Sequence, residues 1–264
     1  MRFKVVTLLA AAVAFGAAQS ALAADMPVKA PMAPAVARYN WTGFYIGGNV
    51  GYGWGNGSTT LGFSDPGAVA GTAAAIAGGA IPVNLSPDPK GVLGGLQIGY
   101  NFQVAPSWIV GVETDFAVAD ITGSQTINTA APGFFALTES ASQRLDTFGT
   151  IRARFGYAAN NWLFYGTGGG AYGHVKNSFT QSNIAGGGPV NTAGSDSKTL
   201  FGWTAGGGVE YGWARWSAKF EYLYYNLGHD SFTIPVNVAA PAATFTPNFV
   251  NRGSIVRIGL NYHF

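Results

Sequence analysis

Apolar and polar positions alternate with a period of two along much of this chain. The clearest run is Val256-Arg257-Ile258-Gly259-Leu260-Asn261-Tyr262-His263-Phe264. Every even position in it is apolar or aromatic, and every odd position is polar, charged or glycine. A period of two sends successive side chains to opposite faces, so the run predicts a strand with one oily and one wet face. Such a strand closing on an aromatic suits lipid on one side and a polar lumen on the other. Comparable patterned segments cover roughly 41–55, 91–103, 108–121, 144–158, 162–177, 199–211 and 215–227, which with 252–264 makes eight. Each is long enough to cross a bilayer as a tilted strand, which takes about 9–11 residues.

The connections alternate in length. Three are short, around 104–107, 159–161 and 212–214. Four are long, about 56–90, 122–143, 178–198 and 228–251, and rich in Gly, Ala, Ser, Thr, Asn and Pro. Short turns at one end and long loops at the other predict an all-β fold: an eight-stranded antiparallel up-and-down transmembrane β-barrel with short periplasmic turns and four long extracellular loops. An even strand count puts both mature termini in the periplasm.

The N-terminus points to export. Arg2 and Lys4 precede an apolar stretch from Val5 to Ala18, and Ala21-Leu22-Ala23 fits a small-x-small cleavage site, so residues 1–23 read as a signal peptide. No other segment approaches 18 uninterrupted apolar residues, and a mature chain without a membrane helix can span a membrane only as a closed barrel. Residues 24–40, with Pro27, Pro31 and Pro34, read as a Pro/Ala-rich periplasmic leader, and 41–264 as the barrel.

Composition narrows the function classes. Without Arg2 and Lys4, basic and acidic residues balance at 12 against 12, which argues against a nucleic-acid partner. Charged residues make up 10% of the chain and aromatics 14%, as suits a surface solvated by lipid. There is no cysteine, so disulfides and thiolate metal sites are excluded. Trp41, Trp108, Trp162, Trp213 and Trp216 fall at strand ends beside the leader or the short turns, and Trp54 and Trp203 fall near the long loops. They are expected to form two aromatic girdles at the water–lipid boundaries.

The signal peptide, the Pro/Ala leader, the block Trp41-Thr42-Gly43-Phe44-Tyr45-Ile46-Gly47-Gly48-Asn49-Val50-Gly51-Tyr52-Gly53-Trp54-Gly55 and the ending Gly259-Leu260-Asn261-Tyr262-His263-Phe264 resemble the small outer-membrane β-barrel proteins of alphaproteobacteria, the porin-family or outer-membrane immunogenic proteins. The resemblance spans essentially the whole mature chain. It implies an eight-stranded barrel in the outer membrane, and it implies no catalytic or binding residue.

Setting Phe264 outward assigns the parity of the last strand, and apolar content assigns the others. The inward rows then carry four acids, Glu113, Asp115, Glu210 and Glu221, and four bases, Arg152, Arg154, Lys219 and Arg257. Gln97 and Asn101 extend the polar face. Charge inside a small barrel is costly unless paired, so these residues are expected to form a salt-bridged network that plugs the lumen. The alternative is a narrow polar path for small solutes or ions. Phe264, Tyr262 and Leu260 are expected to serve the barrel-assembly machinery as a C-terminal signal. Outer-membrane lipid and lipopolysaccharide are the other expected partners.

Other chemistry is weakly supported. Gly168-Gly169-Gly170-Ala171-Tyr172-Gly173 matches G-x-G-x-x-G but lacks a following helix, so curvature and close strand packing explain it better. His174, His229 and His263 are too scattered for a metal site. No nucleophile–base–orienter constellation stands out, so neither an enzyme nor a cofactor is expected. The long loops hold Phe63, Ile76, Ile81, Phe134, Phe135, Phe232, Ile234, Phe245 and Phe249. These either pack the loops together or form an exposed patch for adhesion or a flat ligand such as haem. The expected role is structural: an outer-membrane scaffold that supports the envelope and presents loops outside.

Overall fold

The computed structural model describes residues 39–64, 76–79, 81–129, 136–183, 192–235 and 244–264. The signal segment, the leader up to Arg38, the loop residues Phe134 and Phe135 and the side chain of Phe63 lie outside the described residues. The strands are β1 (Gly43–Gly55), β2 (Thr59–Ser64), β3 (Asn84–Leu85), β4 (Lys90–Ala105), β5 (Trp108–Thr129), β6 (Leu137–Ala159), β7 (Trp162–Asn183), β8 (Thr192–Trp213), β9 (Trp216–Ser231), β10 (Ile234–Pro235) and β11 (Thr244–His263).

Eight of them close a ring in the order β1-β4-β5-β6-β7-β8-β9-β11, and β11 pairs back with β1 from Tyr45↔His263 to Gly55↔Gly253. Every pairing is antiparallel. The Phe264 N–H donates to the Phe44 carbonyl at 3.0 Å, so the seam holds to the last residue. Two-residue links join β4 to β5, β6 to β7 and β8 to β9. Asn160 (φ 56°) and Ala214 (φ 49°) take the left-handed conformation that such tight hairpins require.

The strands outrun their expected lengths. β5, β7 and β8 have 22 residues and β6 has 23. Most of 122–143 and part of 178–198, expected as loops, are therefore strand. Beyond the membrane the short strands take over part of the wall. β2 pairs with the upper part of β11, β3 with β2, and β10 with β11.

Facing follows the period of two. Ile46, Val50, Leu96, Ile98, Val112, Phe116, Ile151, Phe155, Phe201, Trp203, Phe220, Tyr222 and Ile258 are all exposed, the band a lipid phase would cover. Trp108, Trp162, Trp213 and Trp216 are exposed at one rim, and Trp54 and Trp203 at the other.

Trp41 departs from the expected girdle: it is 0% exposed and packs with Ile109, Ala158, Leu163 and Tyr165. It precedes β1, so no strand parity governs it, and the mouth of the lumen offers a slot for the indole. Phe44, 59% exposed, holds the rim position instead.

Two irregularities change which face a side chain meets. The β6 pairing with β7 slips between Leu145 and Thr147, so inward residues are even-numbered below the bulge (Thr150, Arg152, Arg154) and odd-numbered above it (Leu137, Glu139, Ala141, Gln143, Leu145). In β9, Gly228 at φ 82° marks a similar change. Leu223, Tyr225 and Leu227 are buried before it and Asp230 after it.

Candidate functional site: the filled lumen

The interior is stacked in layers. At the periplasmic mouth, Trp41, Ile109, Ala158 and Leu163 form an apolar floor against which Tyr39 packs. His263 sits edge-on to the Trp41 ring, with centroids 6.0 Å apart.

Above the floor lies the ionic layer. Glu113, Asp115, Arg152, Arg154, Glu210, Lys219, Glu221 and Arg257 are each at most 3% exposed. Pairing register explains part of the assembly: Glu113 stands opposite Arg152, Glu210 opposite Lys219, and Glu221 opposite Arg257. The rest forms across the lumen. Arg152 reaches Glu113 Oε1 at 2.5 Å, Asp115 Oδ2 at 3.0 Å and Glu221 Oε1 at 3.1 Å. Arg257 Nε donates to Glu221 Oε2 at 2.6 Å and its Nη2 to Asp115 Oδ2 at 2.9 Å. Lys219 Nζ donates to both Glu113 oxygens, at 2.8 and 2.9 Å. Arg154 Nη2 donates to Glu210 Oε2 at 2.6 Å, and its guanidinium lies 4.0 Å from the Tyr165 ring centroid.

Neutral groups complete this layer, and sequence reasoning named few of them. The Tyr45 hydroxyl donates to Glu113 Oε2 at 2.7 Å and accepts from Arg154 Nη1 at 2.6 Å. The Tyr165 hydroxyl donates to Glu221 Oε1 at 2.9 Å. Thr150 Oγ1 donates to Asp115 at 2.6 Å and accepts from Arg152 Nε at 2.8 Å. Ser217 and Asn261 donate to Glu210 Oε1 at 2.5 and 2.8 Å. Gln97 donates to Asn261 Oδ1 at 2.5 Å. Asn101, expected on this polar face, is buried with neither side-chain atom hydrogen-bonded among the described residues. Tyr45 and Tyr165 were legible in principle, since both sit at odd positions on strands whose even positions face lipid.

A second apolar layer closes the lumen above the charges. It includes Leu93, Ile121, Leu145, Phe148, Leu223, Tyr225 and Ile255, all buried. Above it come Gln143, Asn177, Asp230 and Asn251, where Gln143 donates to Asn251 Oδ1 at 2.5 Å and Asn177 to Asp230 Oδ2 at 2.6 Å. The extracellular core follows, with Leu61, Leu85, Ala141, Phe179, Ile234, Phe245 and Phe249. Three of the aromatic and aliphatic residues assigned to loops by sequence, Ile234, Phe245 and Phe249, thus pack inside a β-walled core. Gly168, Gly169 and Gly170 lie within β7, and a Cβ on Gly169 would collide with the Ile151 carbonyl, as close strand packing predicts.

This architecture has recognisable relatives. The family described as outer membrane protein beta-barrel domain matches residues 7–264. The chain belongs to that family. It is 38% identical over 266 residues to the 31 kDa outer-membrane immunogenic protein of Brucella melitensis, covering 98% of this chain and 99% of that protein. It is 27% identical to the 25 kDa outer-membrane immunogenic protein of Brucella abortus, covering 94% and 90%. Among solved structures, the outer membrane protein OprG from Pseudomonas aeruginosa aligns with a TM-score of 0.44 at 14% identity, covering 87% of this chain and 99% of that one. This chain is accordingly an outer-membrane β-barrel protein, with its exposed apolar band in the lipid of that membrane.

The ionic layer joins five strands, β5, β6, β8, β9 and β11, through side chains alone. In chemical terms it is a cross-brace. Each cation is held by carboxylates of at least one other strand, and none of the eight side chains stands open to solvent.

Proposed function

We propose that this protein is a closed structural barrel of the envelope, sealed by its ionic layer, that holds a rigid β-walled platform outside the membrane. The observation that carries the reading is the stacking of an apolar floor, a charge-balanced layer of eight paired residues and a second apolar layer along one lumen. An ion entering the lumen would have to displace hydrogen-bonded charges and then cross side chains that offer it no ligand. An eight-stranded ring is just wide enough for side chains to fill, which opposes the permeation reading. Two relatives are named as immunogenic, which supports exposure of the upper half outside the cell. Lipid and lipopolysaccharide around the apolar band, and assembly machinery engaging Phe264, Tyr262 and Leu260 at the seam strand, are the partners this role calls for. No catalytic step or cofactor enters it.

The test is single-channel conductance of the refolded full-length protein in planar bilayers, with and without deletion of the loop tips. The closed-barrel reading expects no unitary conductance in either form. Steady unitary currents from the intact protein would overturn it. Currents that emerge only after the tips are deleted would move the seal from the lumen to the loops.

A further inference from the structure

Glu139 lies on the extracellular reach of β6, well above the lipid-facing residues Ile151 and Phe155 of the same strand. The bulge near Asp146 turns it inward, and it is 0% exposed. Its level of the interior is uncharged: Ile127 on β5, Gln181 on β7 and Thr192 on β8 stand beside it in register. The inward residues that close the space from β2, β3, β10 and β11 are Leu61, Leu85, Ile234, Phe245 and Phe249, none titratable. Below it, the buried Asp230 and the partly exposed Asp196 are already paired through Lys198, itself partly exposed.

The loop tips cannot supply a counter-charge. Segments 65–75, 130–135, 184–191 and 236–243 contain no Lys, Arg or His, and their single ionisable side chain is Asp65. A buried carboxylate without a cation is strongly disfavoured.

The hydrogen bonding at Glu139 has a matching deficit. Gln181 Nε2 donates to Glu139 Oε1 at 3.2 Å. Glu139 Oε2 and Gln181 Oε1 are both buried acceptors with no partner among the described residues. One proton resolves both. On Glu139 Oε2 it becomes a donor that Gln181 Oε1 can accept, which makes a reciprocal acid–amide pair.

We infer that Glu139 and Gln181 form a proton-operated latch between β6 and β7 that holds the extracellular half of the barrel closed when Glu139 is protonated. Burial pushes the Glu139 carboxyl up to about 7 from its ordinary value of 4.5, which places the operating range near neutrality. In an opened state the carboxyl is hydrated and titrates near its ordinary value. The closed state therefore binds more protons between those two values. The latch is fully engaged below about 4.5, weakens as pH rises, and is released above about 7. Across that range the opening equilibrium should rise on the order of a hundredfold. The biological input is the pH outside the cell, which this half of the barrel faces directly.

The test uses the full-length protein refolded in lipid. Infrared difference spectra between about pH 4.5 and about pH 8 should show the carbonyl stretch of a buried protonated carboxyl disappearing, with a midpoint near neutrality. Glu139→Gln, which can keep a reciprocal amide–amide pair, should remove that band. External protease should cut the tips of β6 and β7 far faster at the higher pH in the parent protein and equally at both in E139Q. An unchanged band in E139Q, or equal cutting of the parent protein at both pH values, would overturn the proposal. If E139Q does not refold, the parent spectrum decides alone: no carboxyl band titrating above about pH 6 refutes the latch.

Discussion

The membrane half and the extracellular half of this barrel are built on the same strands with opposite interiors. In the membrane half, lipid-facing Val112, Phe116 and Ile151 lie outside, and paired charges such as Glu113 and Arg152 lie inside. A few residues further along the same strands, Asp120 and Arg144 face outward and Ile121 and Leu145 face inward. Asp146 bridges Arg144 at 2.6 Å and Lys176 at 2.7 Å at this boundary. The strands run on from one half to the other and the solvent changes. Where lipid surrounds the ring, the apolar side chains go outward and the polar ones must satisfy one another within. Where water surrounds it, the ring becomes a small soluble barrel with an oily core. The stabilising chemistry should differ accordingly: stranded charge in the lower half, lost packing in the upper.

The largest effect should come from breaking the ionic layer. Arg152→Ala leaves Glu113, Asp115 and Glu221 one cation short, with only Arg257 still shared among all three, and should cost about 3–5 kcal/mol, the usual penalty for an uncompensated buried charge. Denaturant titration of refolding in lipid vesicles measures it. A loss below about 1 kcal/mol would mean that water already enters the layer.

Phe179→Ala should cost about 3 kcal/mol, within the range for buried aromatic truncation, but only in the upper half. The heat-modifiable gel shift of the folded barrel should persist while external protease begins to cut β6 and β7. Loss of the gel shift together with the upper half would show that the two halves unfold as one unit.

Removing Phe264 deletes the N–H that bonds Phe44 and a ring that packs on Tyr262 at 5.3 Å. Folded protein recovered from the outer membrane should fall several-fold, as read by quantitative gel shift. Normal recovery would remove the terminal aromatic from the assembly signal.

The smallest effect belongs to Lys198→Ala. Lys198 bridges β8 to Asp230 of β9 above the last β8–β9 backbone pair, Trp203↔Asn226. It is about two-fifths exposed, so screening should hold the loss under about 1 kcal/mol. A larger loss would make this side-chain bridge the main tie across that gap in the wall.

Eight crossing strands, the three tight turns and the inward parity of all eight lumen charges could be read from the chain, because a period of two and the cost of charge in lipid leave little choice. The seam strand was legible for the same reason. The upper strands were not. Segments such as Gly123-Ser124-Gln125-Thr126 and Gly194-Ser195-Asp196-Ser197 have loop-like composition, and their alternation inverts once lipid gives way to water. Trp41 was misplaced because a residue ahead of the first strand has no parity, and only the shape of the lumen mouth gives it a site.

The sequence by itself determined a lipid-embedded strand ring with a balanced charged interior, because alternation and charge count are local properties. The tertiary structure alone decided which acid meets which base, since Arg152 and Arg257 draw partners from strands far apart in the chain. It also decided that Glu139 faces inward, because one extra residue near Asp146 reverses the parity of everything above it on β6, and the part above the bulge, 137–143, reads as loop and so carries no parity of its own in the sequence.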